Sequence, residues 1–187
     1  ERERFESWIT SPSGLVLVTG PTGSGKTTTL YSTLRYLAGP EINITSVEDP
    51  IELIDPRFSQ VQVQPQIDVT FARALRTILR QDPDIIMVGE MRDQETIRLA
   101  LEAAEKGVLV FGTLHTSTAA STVDRIIDQF PADRQSQIRT MLASSLKGVV
   151  AQTLCRKVGG GRVAALEVLV VNSGISNQIR EGKTYQI

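Results

Sequence analysis

The chain has 187 residues, 41% of them hydrophobic, which suits one α/β domain with a substantial core. Twenty Lys and Arg stand against 21 Asp and Glu, and the formal charge of −1 leaves no overall basic footprint for direct contact with nucleic acid. A single cysteine excludes an intrachain disulfide and a four-cysteine zinc module within these residues, and no apolar run approaches the roughly 18 residues of a transmembrane segment.

The chain begins at Glu1, not at Met, and reaches its first motif almost at once, which reads as a piece of a longer protein. Glu1 to Ile9 is a charged, helix-compatible lead-in, with Phe5 and Trp8 spaced to share one face. Ser11-Pro12-Ser13-Gly14 has turn chemistry, and Leu15-Val16-Leu17-Val18 is a short apolar run suited to a buried strand. Gly20-Pro21-Thr22-Gly23-Ser24-Gly25-Lys26-Thr27-Thr28 follows, and a helical stretch runs from Thr27 to Leu37. Strand, Gly-rich loop with Lys-Thr, then helix is the context of a phosphate-binding loop. Such a loop turns backbone N–H groups and a helix N-terminus toward a nucleoside triphosphate. Lys26 is expected to reach the β and γ phosphates of that nucleotide, and the Thr27 hydroxyl to meet Mg²⁺.

Ile42 to Val47 alternates and is β-branched, so it is predicted to be a strand that delivers Glu48-Asp49-Pro50 at its C-terminal end. In α/β sheets that end carries ligand-binding residues. Val61 and Val63 mark a short strand or hairpin, and Thr70 to Arg80 is helical, its arginines Arg73, Arg76 and Arg80 suited to a solvated face or to a phosphate or subunit contact. Ile85-Ile86-Met87-Val88 is predicted to be a strand buried on both faces and followed closely by Glu90, the pattern that carries an acid toward Mg²⁺ or an attacking water beside a phosphate-binding loop. Asp93 can cap a helix from Gln94 to Lys106. Val108 to Phe111 is a further buried strand that leads to Gly112-Thr113-Leu114-His115-Thr116. His115, the one histidine, stands at a strand end beside two threonines, where a functional role is expected. Helices are predicted over Ser117 to Gln129 and about Ala132 to Leu154, then a Gly159-Gly160-Gly161 turn, a strand over Arg162 to Val171 and a short helix over Ser173 to Glu181. Cys155 is expected to be a small buried or half-buried side chain.

Together these motifs resemble the RecA-like motor domain of the secretion ATPase superfamily, the ATPases of type II secretion and of type IV pilus extension and retraction. The matching stretches are Gly20 to Thr28 (Walker A), Thr45 to Glu52 (Asp box), Leu79 to Asp93 (Walker B) and Phe111 to Thr116 (His box). The resemblance implies one RecA-like P-loop domain over residues 1–187, mainly a parallel sheet flanked by helices with a C-terminal helical segment, lacking an N-terminal domain. It implies Glu48 as the carboxylate that polarises water, Glu90 in the metal and water shell and His115 near the γ-phosphate. It also implies a homo-hexamer docked on an inner-membrane platform protein at the cytoplasmic face. Weakly hydrolysing regulatory or assembly subunits of the same machinery, and conjugation-type DNA-transfer ATPases, are the alternatives.

Three features depart from that family's pattern. Lys106-Gly107-Val108 stands where the family often has Thr-Gly-His, the domain that supplies arginines in trans is absent, and no tetracysteine insertion follows Leu154-Cys155-Arg156-Lys157. The terminal stretch Gly174 to Glu181 is similar to that of pilus retraction motors, departing at Ser176 and Gln178, whereas Gln64 through Met87 looks more like the extension and secretion branch.

Overall fold

The computed structural model describes Glu6 and residues 8–187; Phe5, expected to share a face with Trp8, lies outside the described residues. A seven-stranded sheet forms the centre of the molecule. Its strands are β1 (Gly14–Thr19), β2 (Ile44–Glu48), β3 (Ser59–Gln62), β4 (Ile85–Val88), β5 (Leu109–Leu114), β6 (Leu146–Arg156) and β7 (Arg162–Val170), in spatial order β3-β2-β4-β5-β1-β6-β7. Every pairing is parallel except β6 with β7.

Helices cover both faces, so the central strands are apolar on both sides. Leu15 and Leu17 of β1 and Ile86 and Val88 of β4 pack with α2 (Phe71–Ile78), α3 (Gln94–Glu105), α4 (Ala119–Asp128) and α5 (Ala132–Ser145). Val16, Val18, Met87 and Phe111 point the other way, onto Leu30, Tyr31 and Leu34 of α1 (Lys26–Leu37) and onto Trp8. Side chains of Thr70, Asp93 and Thr118 cap α2, α3 and α4, and Asn172 caps α6 (Ser173–Glu181). Helix α1 starts at Gly25 with no side-chain cap. Arg73 and Arg76 form surface ion pairs with Asp68 and Glu95, as a solvated face requires.

Two expectations are corrected. The helix predicted to reach Leu154 ends at Ser145, and Leu146–Arg156 forms β6. Val149 and Val150 are β-branched and fill the sheet beside β1, while a Cβ on Gly148 would lie 2.6 Å from the Trp8 ring, so the bare backbone lets this strand run against that indole. Cys155 is exposed, not buried. The pairing with β1 stops at Ala151, so the last residues of β6 pair with β7 alone in a ribbon that extends beyond the core. The remaining predicted elements stand within a few residues of their expected bounds, and Val61 belongs to a strand parallel to β2, not to a hairpin.

This topology sets the C-terminal ends of β1, β2, β4 and β5 along one edge. The loop after β1, Glu48, Glu90 and His115 therefore face a common space, although 95 residues separate Gly20 from His115 in the chain.

Candidate functional site: a phosphate-binding loop facing two carboxylates

The loop from Gly20 to Gly25 is shaped by its glycines and braced by β6. Gly20 (φ +146°) passes so close to β6 that a Cβ would lie 2.1 Å from the Gln152 carbonyl oxygen, and Gly25 (φ +89°) takes a left-handed turn into α1. The Gln152 side chain spans the loop: its Nε2 donates to the Ser24 carbonyl at 2.6 Å, and its Oε1 accepts from the Thr29 hydroxyl at 2.8 Å. Lys26 Nζ donates to the carbonyls of Gly20 (2.7 Å) and Pro21 (3.0 Å), so its ammonium lies over the loop. Burial lowers the Lys26 pKa, against the opposing pull of Glu90 and Glu52.

Opposite the loop stand two carboxylates in different surroundings. Glu48, at the end of β2, is 4% exposed. The Tyr31 phenol oxygen lies 2.9 and 2.8 Å from its two oxygens, and the Ser46 hydroxyl donates to Oε1 at 2.6 Å. Glu90, just beyond β4, is more open. It pairs with Arg92 at 2.6 Å and with His115 Nε2 at 3.0 Å, and the His115 side chain is 47% exposed. The Thr113 hydroxyl donates to the Gly89 carbonyl at 2.5 Å, and the Met91 amide donates to the Thr113 carbonyl at 3.0 Å, so the end of β5 fixes the turn that carries Glu90. Gly89 is itself tightly placed, since a Cβ there would lie 2.9 Å from the Val47 carbonyl.

A cleft of about 610 Å³ separates loop and carboxylates. Thr22, Gly23, Gly25, Lys26, Thr27, Thr28, Glu48, Glu90 and His115, all expected at the site, line it. Gly20, Pro21 and Ser24 belong to the loop's frame instead. Sequence reasoning missed Tyr31, Gln152 and Arg162, the last of which reaches the same cleft from β7. A buried tyrosine needs a partner for its hydroxyl, and that was the available signal for Tyr31. Gln152 fell inside the stretch misread as helix.

The chemistry available here is recognition of a polyphosphate by cation, hydroxyl and backbone N–H groups, with carboxylates placed to orient water or a divalent cation. Hard oxygen donors, the Thr27 hydroxyl and the Glu90 carboxylate, line the same cleft. Among the described residues no cluster of three or more His, Cys, Asp or Glu side chains has metal-holding geometry. That donor set fits Mg²⁺, which keeps several waters and takes one or two protein oxygens beside substrate phosphates.

Comparison with known proteins agrees with this geometry. The family model described as Type II/IV secretion system protein matches residues 1–184. The type IV pilus retraction ATPase PilT of Pseudomonas aeruginosa is 54% identical over 189 aligned residues, covering 99% of this chain and 55% of that protein. A twitching motility protein of Neisseria gonorrhoeae is 50% identical over 188 residues, covering 98% of this chain and 50% of that protein. A crystal structure of the pilus retraction motor PilT with bound ADP superposes with a TM-score of 0.90 at 48% identity, covering 98% of this chain and 55% of that one. The chain thus spans about half the length of these relatives. With both the fold and the match running nearly end to end, this chain belongs to the family of Type II/IV secretion system proteins.

Proposed function

We propose that this chain is the ATP-hydrolysing RecA-like domain, residues 1–187, of a longer motor protein that works on a type IV pilus, with retraction as its task. The single observation that carries the reading is the facing of Lys26 and Thr27 by Glu48 and Glu90 across one cleft, at the ends of neighbouring parallel strands. Support for the pilus task comes from relatives named for pilus retraction and twitching motility, and support for the nucleotide from the PilT structure named with bound ADP.

In this reading the Gly20 to Thr28 loop binds the phosphates and Lys26 neutralises their charge. Thr27 and Glu90 would hold Mg²⁺, which would supply neutralisation of phosphate charge. Glu48 orients and polarises the attacking water. His115, paired with Glu90, reads the γ-phosphate end of the nucleotide. Phosphoryl transfer calls for positioning and charge stabilisation more than for covalent chemistry, and these residues supply both.

The working form is a homo-hexamer in the cytoplasm, docked on the platform protein of a pilus machine at the inner membrane. Among the described residues no helix is long and apolar enough to cross a membrane. Mg²⁺-dependent ATP turnover of the full-length protein, followed together with its assembly by light scattering, tests the proposal. Turnover that appears with ring formation is expected. Tight ATP binding without turnover in an assembled ring would replace the motor by a regulatory subunit.

A further inference from the structure

The Tyr31 hydroxyl has one proton and two acceptors within reach. Its oxygen lies 2.8 and 2.9 Å from the oxygens of Glu48 and 2.9 Å from the Leu53 carbonyl. Gln60 biases the choice. Gln60 Nε2 donates to the Leu53 carbonyl at 2.8 Å and to the Tyr31 oxygen at 2.8 Å, so one lone pair of the carbonyl is already engaged and the charged Glu48 carboxylate is the stronger acceptor for the phenol proton. The orientation of the Gln60 amide is fixed in turn, because its Oε1 accepts from the Asp55 backbone N–H at 2.8 Å.

Asp55 is anchored by two arginines. Arg35 Nε and Arg57 Nη2 lie 2.9 and 2.6 Å from its Oδ2. Arg35 sits one turn after Tyr31 on α1, so the helix that begins in the phosphate-binding loop holds Glu48 at one turn and the segment after β2 at the next. Tyr31 itself is 2% exposed, and burial together with the Glu48 charge holds its pKa well above the usual phenol range, so it remains a proton donor.

We propose that Tyr31 is a positioning residue for hydrolysis: it fixes the Glu48 carboxylate toward the cleft, with Gln60 directing its proton and the segment from Leu53 to Asp55 setting Gln60. The proposal rests on the reading of Glu48 as the hydrolytic carboxylate. Its consequence is that movement of the Leu53 to Asp55 segment redirects one proton and so changes the orientation of Glu48, while the phosphate-binding loop keeps its shape through Gln152.

Steady-state ATP turnover and nucleotide affinity of the full-length protein, measured for Tyr31→Phe, Glu48→Gln and the double variant, test this. Tyr31→Phe keeps the buried ring. It is expected to bind nucleotide within about twofold of wild type and to lose roughly tenfold or more in kcat, the scale of one hydrogen bond to a charged group, with KM little changed. In the Glu48→Gln background the same change is expected to cost nothing further, whereas a merely structural role would make the two losses add. Gln60→Leu, which leaves the Leu53 carbonyl to compete for the phenol proton, is expected to lower kcat with Tyr31 intact. Wild-type kcat in Tyr31→Phe beside an inactive Glu48→Gln overturns the positioning role alone. Should Tyr31→Phe fail to fold, wild-type kcat in Gln60→Leu overturns it. Retained turnover in Glu48→Gln overturns the reading of the site and this inference together.

Discussion

Gln152 on β6 donates its side-chain N–H to the Ser24 carbonyl at 2.6 Å, across 128 residues of sequence. The loop from Gly20 to Gly25, the proposed phosphate site, is therefore braced by a strand distant in sequence. Removing that brace leaves the Ser24 carbonyl and the Thr29 hydroxyl without their partner, a loss of two hydrogen bonds at about 0.5–1.5 kcal/mol each. Gln152→Ala is accordingly expected to weaken ATP binding on the order of tenfold by isothermal titration, with the overall fold retained. Unchanged affinity would show that the loop holds its shape without β6.

Lys26 tests the phosphate cradle more directly. Its ammonium is partly desolvated over the loop and faces Glu90 across the cleft, so it is placed to take up phosphate charge. Loss of a hydrogen bond to a charged group costs about 1.5–3 kcal/mol, so Lys26→Ala is expected to weaken ATP binding roughly tenfold to a hundredfold. Wild-type affinity in this variant would contradict the placement of the phosphates.

Asp55 gives the fold an acid dependence of known sign. Hydrogen bonds from Arg57 and then Arg35 hold its pKa well below the usual carboxylate range, against the opposing effect of burial. A carboxylate whose pKa is depressed on folding stabilises the native state above its unfolded pKa of about 3.9 and loses that contribution as pH falls toward the folded value. Asp55→Asn is thus expected to lower Tm at pH 7, and the gap from wild type is expected to narrow as pH drops below about 4. A gap that stays constant down to strongly acid pH would contradict the ion-pair account. The Asp55 backbone N–H also orients Gln60, so a segment loosened by loss of the arginine ion pairs is expected to lower kcat at neutral pH.

The parts of this site that were legible in the sequence are those carried by local pattern. The loop from Gly20 to Thr28 has fixed spacing, and Glu48, Glu90 and His115 each follow a β-branched or fully apolar run that could only be a buried strand. Their convergence follows from parallel topology, which places all such strand ends on one edge. What was not legible depends on partners far away in sequence. No Gly-Pro break separates Leu146 to Leu154 from α5, and its strand form is fixed by pairing with the edge of β1 and by the Trp8 ring over Gly148. Read as helix, the stretch hides Gln152, and the expectation of a buried or half-buried Cys155 follows only the general habit of free cysteines. Tyr31 reads as core from its spacing on α1. Its second task appears only when Glu48, Leu53 and Gln60 are brought to its hydroxyl from the next two strands and the segment between them.

The two carboxylates differ in environment, and the proposed function assigns them different work on that ground. Glu48 is enclosed and held by neutral hydroxyls, which suits a group that must keep one orientation toward a water. Glu90 is more exposed and bound to cationic or titratable partners, which suits a group that exchanges those partners for a hydrated cation. The most direct test of this division is single-turnover ATP hydrolysis by the full-length Glu48→Gln variant, with ATP affinity measured in the same preparation. Affinity within a few-fold of wild type and loss of most hydrolysis are expected. Hydrolysis at the wild-type rate would contradict Glu48 as the carboxylate that activates water.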